Sequence, residues 1–380
     1  MLGHKHIPSR EGGVEIVVEQ LAVRMVEKGH KVTVYNRSSH HVSGHEYDIK
    51  DMKEYKGVRI RKSLTLDMKG LAAFTSAISA GIAAAFGKYD IVHFHAEGPC
   101  IACFIPKLTG KRVIATIHGL DHKRDKWGRI ASAIILAGER GAVKHADEII
   151  VLSEGVKKYF ADTYGRETRL IPNGVERPVR LEASLIKERY GLNEGDYILF
   201  LGRLVPEKGV HLLIEAYNKL HTDKKLVIAG GVSDSSEYAE RLKKDAEGND
   251  NIIFTGFVYG ETLEELYSNA YVYVLPSLLE GMPLSLLEAM SYGNCCLTSD
   301  IEECTDVTKD CGVSFRSEDA DDLKSKLEEL LADKPRVDHL RESSADYICE
   351  RFDWDSVTDK TLELYMEGLI SRISNRKPFR

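Results

Sequence analysis

Short runs of consecutive hydrophobic residues alternate along the chain with longer segments in which hydrophobic residues recur at helical spacing. The runs rich in Val, Ile and Leu predict strands buried on both faces, and the amphipathic segments predict the helices that cover them. The predicted strands are residues 31–35, 91–95, 112–118, 148–152, 197–201, 225–229, 251–255, 271–275 and 294–298. The predicted helices are residues 14–28, 100–108, 129–145, 210–220, 238–246 and 355–374. Such alternation predicts parallel sheets.

A boundary between domains is predicted at residues 170–178, which carry two prolines and an Asn-Gly turn signal. The chain has 380 residues, too many for one typical core. We therefore predict two tandem doubly wound α/β domains, residues 1–176 and 177–354, with a C-terminal helix (355–380) that crosses back to the first domain.

The amino-acid composition limits the classes to which the protein can belong. A hydrophobic content of 43% and a charged content of 29% are typical of a soluble globular protein, and a net charge of -7 argues against a general nucleic-acid binder. Seven scattered cysteines and the lack of a signal-peptide pattern indicate a reducing, cytoplasmic location. Cys100 and Cys103 have metal-type spacing without a second pair, so we expect packed thiols. The uncharged segment 70–87 is mostly Ala, Gly and Ser, which favours a packed helix over a membrane span.

Two carboxylates flank a predicted helix start in the stretch EGMPLSLLE, which follows the predicted strand 271–275. Pro283 suits the first helical turn, which places Glu280 in the preceding loop and Glu288 about two turns inside the helix. Free backbone N–H groups at residues 282–285 would face an anion, and carboxylates accept hydrogen bonds from sugar hydroxyls. The pattern indicates a ligand rich in phosphate and hydroxyls. The alternative is that the acidic residues merely complement the helix dipole.

A second candidate segment, GRLVPEKG at residues 202–209, also joins a predicted strand to a helix. Arg203 and Lys208 could neutralise a diphosphate, and the glycines let the backbone approach a ligand closely. The segment matches neither the P-loop nor the Gly-x-Gly-x-x-Gly fingerprint. Taken alone, it could be an ordinary surface loop.

The first domain offers weaker candidates. His118 ends a predicted strand, where ligands bind in parallel sheets, although a histidine there is often structural. A Gly12-Gly13 pair precedes the first helix, as in ligand-approach loops and in simple turns. The basic loop 118–129 suits a phosphate-bearing acceptor or an anionic membrane surface, or is a solvated loop.

The segments at 202–209, 280–290, 171–174 (IPNG) and 12–15 (GGVE) together resemble the retaining family 4 glycosyltransferases of the glycogen-synthase and sucrose-synthase type. The resemblance spans nearly the whole chain and implies the GT-B fold, in which two Rossmann-like domains face a central cleft. Residues 3–13 more narrowly resemble a bacterial subgroup with rhamnosyltransferases of capsule and cell-wall polysaccharide assembly.

The resemblance implies a role for each matched residue. Arg203 and Lys208 would bind the donor diphosphate, Glu280 the donor sugar and Glu288 the ribose, with His118 as a further catalytic residue. The remaining implied donor-binding residues are Gly12, Gly13, Gly202, Phe257, Val258, Gly281, Met282, Pro283 and Leu284. The implied acceptor-side residues are Glu15, Lys123, Arg124 and Trp127. The family mechanism is front-face attack with retention of configuration, and no metal or other cofactor is expected beyond the nucleotide-sugar co-substrate.

The resulting hypothesis is a cytoplasmic enzyme that moves a sugar, rhamnose by resemblance, from a nucleotide donor to a lipid-linked or growing polysaccharide acceptor. It would act in capsule or cell-surface glycan synthesis, with peripheral contact at the inner membrane face and no nucleic-acid partner. The alternatives are a non-catalytic nucleotide-sugar-binding partner in a glycan-assembly complex and a nucleotide-sugar 2-epimerase. Only Met1 and Leu2 precede Gly3, where relatives have a full apolar strand. We therefore expect a lower melting temperature than that of a version extended by an apolar strand.

Overall fold

The computed structural model describes residues 1–10, 12–38, 52–66, 71–123, 128–231 and 236–374, with the side chains of 236 and 369–374 excepted. The chain divides into two units. Unit 1 comprises Met1–Gly174 and Trp354–Arg380, and unit 2 comprises Val175–Asp353. Each unit is a mainly parallel sheet flanked by helices, which confirms the predicted α/β class.

The sheet of unit 1 is built in two parts, with strand orders β1-β3-β2 and β4-β5-β6-β7. Its strands are β1 (Thr33–Arg37), β2 (Glu54–Tyr55), β3 (Val58–Ser63), β4 (Ile91–His95), β5 (Arg112–Ile117), β6 (Glu148–Val151) and β7 (Arg169–Leu170). All pairs are parallel except β2 with β3. The first residues of the chain lie between the two parts, since Leu2 bridges Phe94 and the Met1 carbonyl accepts the Tyr35 amide at 3.1 Å.

The helices of the segment Met1–Gly174 are α1 (Gly13–Glu27), α2 (Ala72–Phe86), α3 (Phe104–Leu108), α4 (Arg129–His145) and α5 (Glu154–Tyr164). Apolar side chains of the strands form the core under these helices, among them Val92, Phe94 and Ile117. Helix α2 lies within the uncharged segment 70–87 and packs on the core through its small residues. No helix in the described ranges is long and apolar enough to cross a membrane.

Unit 2 has one six-stranded parallel sheet with the order β10-β9-β8-β11-β12-β13. The strands are β8 (Tyr197–Leu201), β9 (Lys225–Ala229), β10 (Ile252–Gly256), β11 (Val272–Leu275), β12 (Cys295–Ser299) and β13 (Val313–Phe315). The chain runs outward from β8 to β10 and then returns to β11 on the other side of β8. The direction of winding therefore reverses between β8 and β11, which is the point where open α/β sheets bind ligands.

Helices cover both faces of the unit 2 sheet. They are α6 (Leu185–Tyr190), α7 (Val210–Asn218), α8 (Ser236–Asp245), α9 (Gly260–Asn269), α10 (Leu284–Ser291), α11 (Glu302–Thr308), α12 (Ala320–Ala332) and α13 (Lys334–Arg351).

The C-terminal helix α14 (Trp354–Ser374) belongs to unit 1. It is fastened to α1 by ion pairs of Lys28 with Asp359 at 2.7 Å and of Arg24 with Asp355 at 3.4 Å. The Tyr365 hydroxyl lies 2.5 Å from His93 Nδ1 on β4.

The sequence prediction was wrong for the segment 100–108, which is not one helix. A 3-10 helix (Gly98–Ala102) is followed by the short helix α3. The cause is Pro106, which has no N–H to continue a helical ladder and is tolerated only in the first turn of α3. All seven cysteines are free, and Cys100 and Cys103 are buried in the core, as expected for packed thiols.

Candidate active site

The loops that follow β8 and β11 meet at the reversal point of the unit 2 sheet. Lys208, in the first loop, lies 2.5 Å from Glu280 Oε1 in the second. The Ser277 hydroxyl donates a second hydrogen bond to the same oxygen at 2.6 Å. The side chains of Lys208 and Glu280 are 12% and 8% exposed, so the two charges are largely removed from water and neutralise each other. The structure therefore brings together Lys208 and Glu280, two predicted site residues that lie 72 positions apart in the sequence.

Glycine is required where these loops touch. Gly209 has a φ of 64°, and a Cβ there would lie 1.9 Å from the Pro276 carbonyl oxygen. Gly230 has a φ of 145°, and a Cβ there would lie 1.8 Å from the Gly202 carbonyl oxygen. The loops after β8, β9 and β11 consequently pack backbone against backbone, which fixes the position of Lys208.

Arg203 differs from Lys208 because its charge is not neutralised. Its side chain is partly buried in the loop after β8, yet it makes no hydrogen bond or ion pair with any residue in the described part of the chain. An arginine held by a packed loop and left without a carboxylate partner suits an external anion.

Helix α10 begins at Leu284, and Pro283 is its N-cap, with φ of -75° and ψ of 106°. The prediction that Pro283 lies in the first turn was wrong, because this ψ is extended and not helical. Glu288 is the fifth residue of the helix and thus lies about one turn inside it, not two. The first intrahelical bonds run from Leu286 and Leu287 to the Pro283 carbonyl, so the amides of residues 284 and 285 have no intrahelical acceptor.

The Glu288 carboxylate is oriented from the neighbouring helix α9. The Tyr267 hydroxyl donates to Glu288 Oε2 at 3.0 Å. Burial raises the pKa of Tyr267 well above its ordinary value, so the phenol stays protonated as a donor. A second tyrosine, Tyr273 on β11, donates to the Ser285 hydroxyl at 2.9 Å and holds the start of α10.

The predicted nucleobase edge follows β10. Phe257 is 37% exposed, and its ring stacks on Tyr259 with a centroid separation of 6.2 Å and an interplanar angle of 11°. Val258 next to it is partly buried. A Cβ at Gly231 would lie 2.3 Å from the Phe257 ring, so the ring lies directly on the backbone after β9.

In unit 1, His118 follows β5 at the carboxyl edge of the sheet. Its Nε2 lies 3.2 Å from His95 Nδ1, and His95 stacks on His93 with centroids 4.2 Å apart. Burial lowers the pKa of His118 to about 4 and the pKa values of His93 and His95 well below their ordinary value. All three rings are therefore uncharged at neutral pH. His93 is anchored by Thr116, whose hydroxyl lies 2.7 Å from its Nε2.

The remaining predicted residues of unit 1 have varied surroundings. Gly12 is the N-cap of α1 and Gly13 its first residue. Glu15 accepts a hydrogen bond from the Lys5 amide at 2.8 Å, so its carboxylate holds the N-terminal loop. Lys123 Nζ lies 4.8 Å from the centroid of the Tyr159 ring. Arg124 and Trp127 lie outside the described residues.

Two family profiles match the chain, one in each unit. The family described as Glycosyltransferase Family 4 matches residues 11–177, and the family described as Glycosyl transferases group 1 matches residues 184–347. The chain is a GT-B glycosyltransferase. The predicted fold class and the prediction of a transferase are both confirmed.

Similar proteins span the full length of this glycosyltransferase. An uncharacterised glycosyltransferase of Methanocaldococcus jannaschii is 24% identical over 96% of this chain and 97% of its own. A GDP-mannose-dependent alpha-(1-6)-phosphatidylinositol monomannoside mannosyltransferase of Mycolicibacterium smegmatis is 26% identical over 94% and 95%. The structure of Anabaena HepE in complex with UDP-glucose aligns with a TM-score of 0.79 and 14% identity, over 97% of this chain and 98% of that one.

Several side chains of the glycosyltransferase site were not foreseen from the sequence. Ser277 donates a hydrogen bond to Glu280, and Tyr267 donates one to Glu288. His95 lies within hydrogen-bond distance of His118. The His93-x-His95 pair at the end of a predicted strand was a usable signal, because alternate residues of a strand share one face. Tyr267 gave no signal, since it belongs to a different helix from Glu288.

Proposed function

We propose that this glycosyltransferase moves a sugar from a nucleoside-diphosphate donor bound on unit 2, with retention of anomeric configuration. The observation that carries the proposal is the Arg203 side chain, which has no partner among the described residues and lies in the same loop as Lys208 of the Lys208–Glu280 pair, at the reversal point of the sheet. The relatives named for GDP-mannose and UDP-glucose support a donor of this class.

The donor diphosphate would lie between Arg203 and the start of α10. Its negative charge grows as the glycosidic bond breaks, and fixed cations and helix amides stabilise that charge more than they stabilise the ground state. Lys208 adds a second positive group whose position is set by Glu280 and by the packed glycine loop. With these groups in the role of a metal, transfer would be metal-independent.

Glu280 would position the donor sugar and would not act as the nucleophile. Both of its contacts, with Lys208 and with Ser277, use Oε1. In the described chain no residue donates to Oε2, which can therefore accept a hydrogen bond from a sugar hydroxyl. Glu288, oriented by Tyr267, would accept from the ribose hydroxyls in the same manner.

The acceptor side is proposed to lie on unit 1, with His118 as a neutral group that contacts the donor sugar. The resemblance of residues 3–13 to rhamnosyltransferases and the basic loop 118–129 support a 6-deoxy sugar donor and a lipid-linked or growing polysaccharide acceptor. An acceptor of this kind would bring the enzyme to the inner face of the membrane as a peripheral protein. The pathway would be capsule or cell-surface glycan synthesis.

The test is release of nucleoside diphosphate from dTDP-, UDP- and GDP-sugars, with and without a prenyl-diphosphate-linked acceptor. We expect acceptor-dependent release with one donor nucleotide. Arg203→Ala should lower kcat/KM by roughly 100-fold or more, the usual cost of removing one group that stabilises transition-state charge. The melting temperature should stay unchanged, because the Arg203 side chain has no partner to lose among the described residues.

A matched control is the double variant Arg241→Ala, Lys243→Ala, which removes two exposed cations from α8 of the same unit. It should keep the parent's activity. Unchanged turnover in Arg203→Ala, or equal losses in Arg203→Ala and in the control, would overturn the assignment of the donor site.

A further inference from the structure

Two glutamates and a histidine of unit 1 converge at the start of the basic loop that begins with His118. Glu97 follows β4, His122 lies in the 3-10 helix after β5 (Asp121–Lys123), and Glu139 is on α4. The side chains of both glutamates are 0% exposed and that of His122 is 15% exposed. His122 Nδ1 lies 3.3 Å from Glu97 Oε1 and 3.4 Å from Glu139 Oε2.

The other oxygen of each carboxylate is held by a hydrogen bond. Glu97 Oε2 accepts from the His122 backbone amide at 3.1 Å. Glu139 Oε1 accepts from the hydroxyls of Tyr159, at 3.0 Å, and Tyr164. The oxygens that remain point towards His122. One of them, Glu139 Oε2, is fully buried and accepts no hydrogen bond from any residue that the structure describes.

Among the described residues, no lysine or arginine pairs with the carboxylates of this cluster. Lys123 places its ammonium over the Tyr159 ring. Buried carboxylates without a compensating cation are costly. The arrangement therefore calls for a positive ligand.

We propose that Glu97 Oε1, His122 Nδ1 and Glu139 Oε2 bind one divalent metal ion of the Zn²⁺ class, with water as the fourth ligand. In a tetrahedral site with bonds of about 2.0–2.1 Å, neighbouring ligand atoms are roughly 3.3–3.4 Å apart, which matches both distances from His122 Nδ1. All three ligand atoms lie within 4.8 Å of one another. The tyrosine hydroxyls and the His122 amide supply the outer hydrogen bonds that metal-bound carboxylates require.

The ion would have a structural role. It would join the segments after β4 and β5 to helix α4 in unit 1, whereas the residues proposed to stabilise the leaving group belong to unit 2. The proposal is therefore independent of the proposed function, and failure of either leaves the other standing.

The test uses the full chain, stripped with a chelator and titrated with Co²⁺, whose visible absorption reports tetrahedral nitrogen and oxygen ligation. We expect one saturable site per chain, displaced by Zn²⁺. His122→Asn and Glu139→Gln should lose binding at concentrations that saturate the parent. His221→Asn, which removes an exposed histidine of unit 2, should bind as the parent does.

A third variant guards against misfolding. Tyr159→Phe keeps all three ligands and removes one outer hydrogen bond, so it should weaken affinity by roughly 10- to 100-fold. Circular dichroism checks that each variant is folded. The proposal is overturned if the parent shows no saturable binding, if binding survives in both ligand variants, or if a thiolate charge-transfer band places the ion on cysteines.

Discussion

Acidification from pH 8 to pH 5 should destabilise unit 1, because four of its histidines are buried in the uncharged form. Burial lowers the pKa of His4 to about 3 and that of His118 to about 4, and holds the pKa values of His93 and His95 well below their ordinary value. In the unfolded chain each imidazole takes up a proton near pH 6.5. The stability that each buried histidine contributes is therefore fully present above pH 6.5 and is lost as the pH falls towards the pKa of that histidine in the folded protein.

The magnitude follows from the number of protons that only the unfolded chain binds. Each histidine contributes about 1.4 kcal/mol per pH unit, or about 2 kcal/mol over this range, so four contribute about 8 kcal/mol. Two other groups nearly cancel each other. Burial lowers the pKa of the N-terminal amine to about 5, which adds to the loss. In the metal-free protein burial also raises the pKa of Glu97 to about 11, so this carboxyl group keeps a proton when no ion is bound, which opposes the loss. A loss of this size is comparable with the whole stability of a typical domain.

Tryptophan fluorescence in urea is the suitable assay, because Trp127 and Trp354 both belong to unit 1 and Trp354 is buried. The free energy of unfolding would be measured at several pH values with a chelator present. His4→Gln should reduce the slope between pH 6 and pH 5 by about 1.4 kcal/mol per pH unit. His30→Gln, at an exposed position of the same unit, is the matched control. A slope in His4→Gln equal to that of the parent would refute the reasoning.

Two further predictions concern unit 2. Lys208→Met leaves the Glu280 carboxylate buried without its cationic partner, so it should lower the free energy of unfolding by about 3 kcal/mol. Adding Glu280→Gln should restore most of that stability without restoring activity, and a double variant no more stable in urea than the single one would contradict the pairing. Gly209→Ala should destabilise more than Gly191→Ala, since the two glycines have φ values of 64° and 63° but only the first would place a Cβ 1.9 Å from the Pro276 carbonyl oxygen. Equal urea midpoints for the two alanine variants would show that the contact can relax freely.

Hydrophobic periodicity was enough to locate the strands that position the site. Strands β4, β8 and β9 have the predicted bounds because each is an uninterrupted run of residues that are mostly buried. The loops with Lys208 and Glu280 follow two such strands, and the ends of parallel strands share one edge. The edge of the sheet at which Lys208 and Glu280 lie was therefore predictable, although the 2.5 Å contact between the two side chains was not.

The strand order could not be read from the sequence, because it depends on pairings between distant segments. β8 pairs with β11 as well as with β9, and that second neighbour creates the reversal point. The same limit applies to side chains. Tyr267 reaches Glu288 from another helix, and Tyr365 reaches His93 across 272 positions. No local pattern encodes such partners.

Strand β3 was missed because only Val58 and Ile60 on one face are buried hydrophobic residues, with arginines between and after them.

Unit 1 cannot be completed until late in translation, because it includes helix α14. Unit 2 is encoded as one uninterrupted stretch, Val175–Asp353, and leaves the ribosome before α14 does. The contacts of Asp359 with Lys28 and of Tyr365 with His93 cannot form until α14 has emerged. Domains generally fold in the order of their synthesis, N-terminal first. Here the later unit can reach its final state first, while the earlier one waits for its last helix with part of the surface around His93 still uncovered.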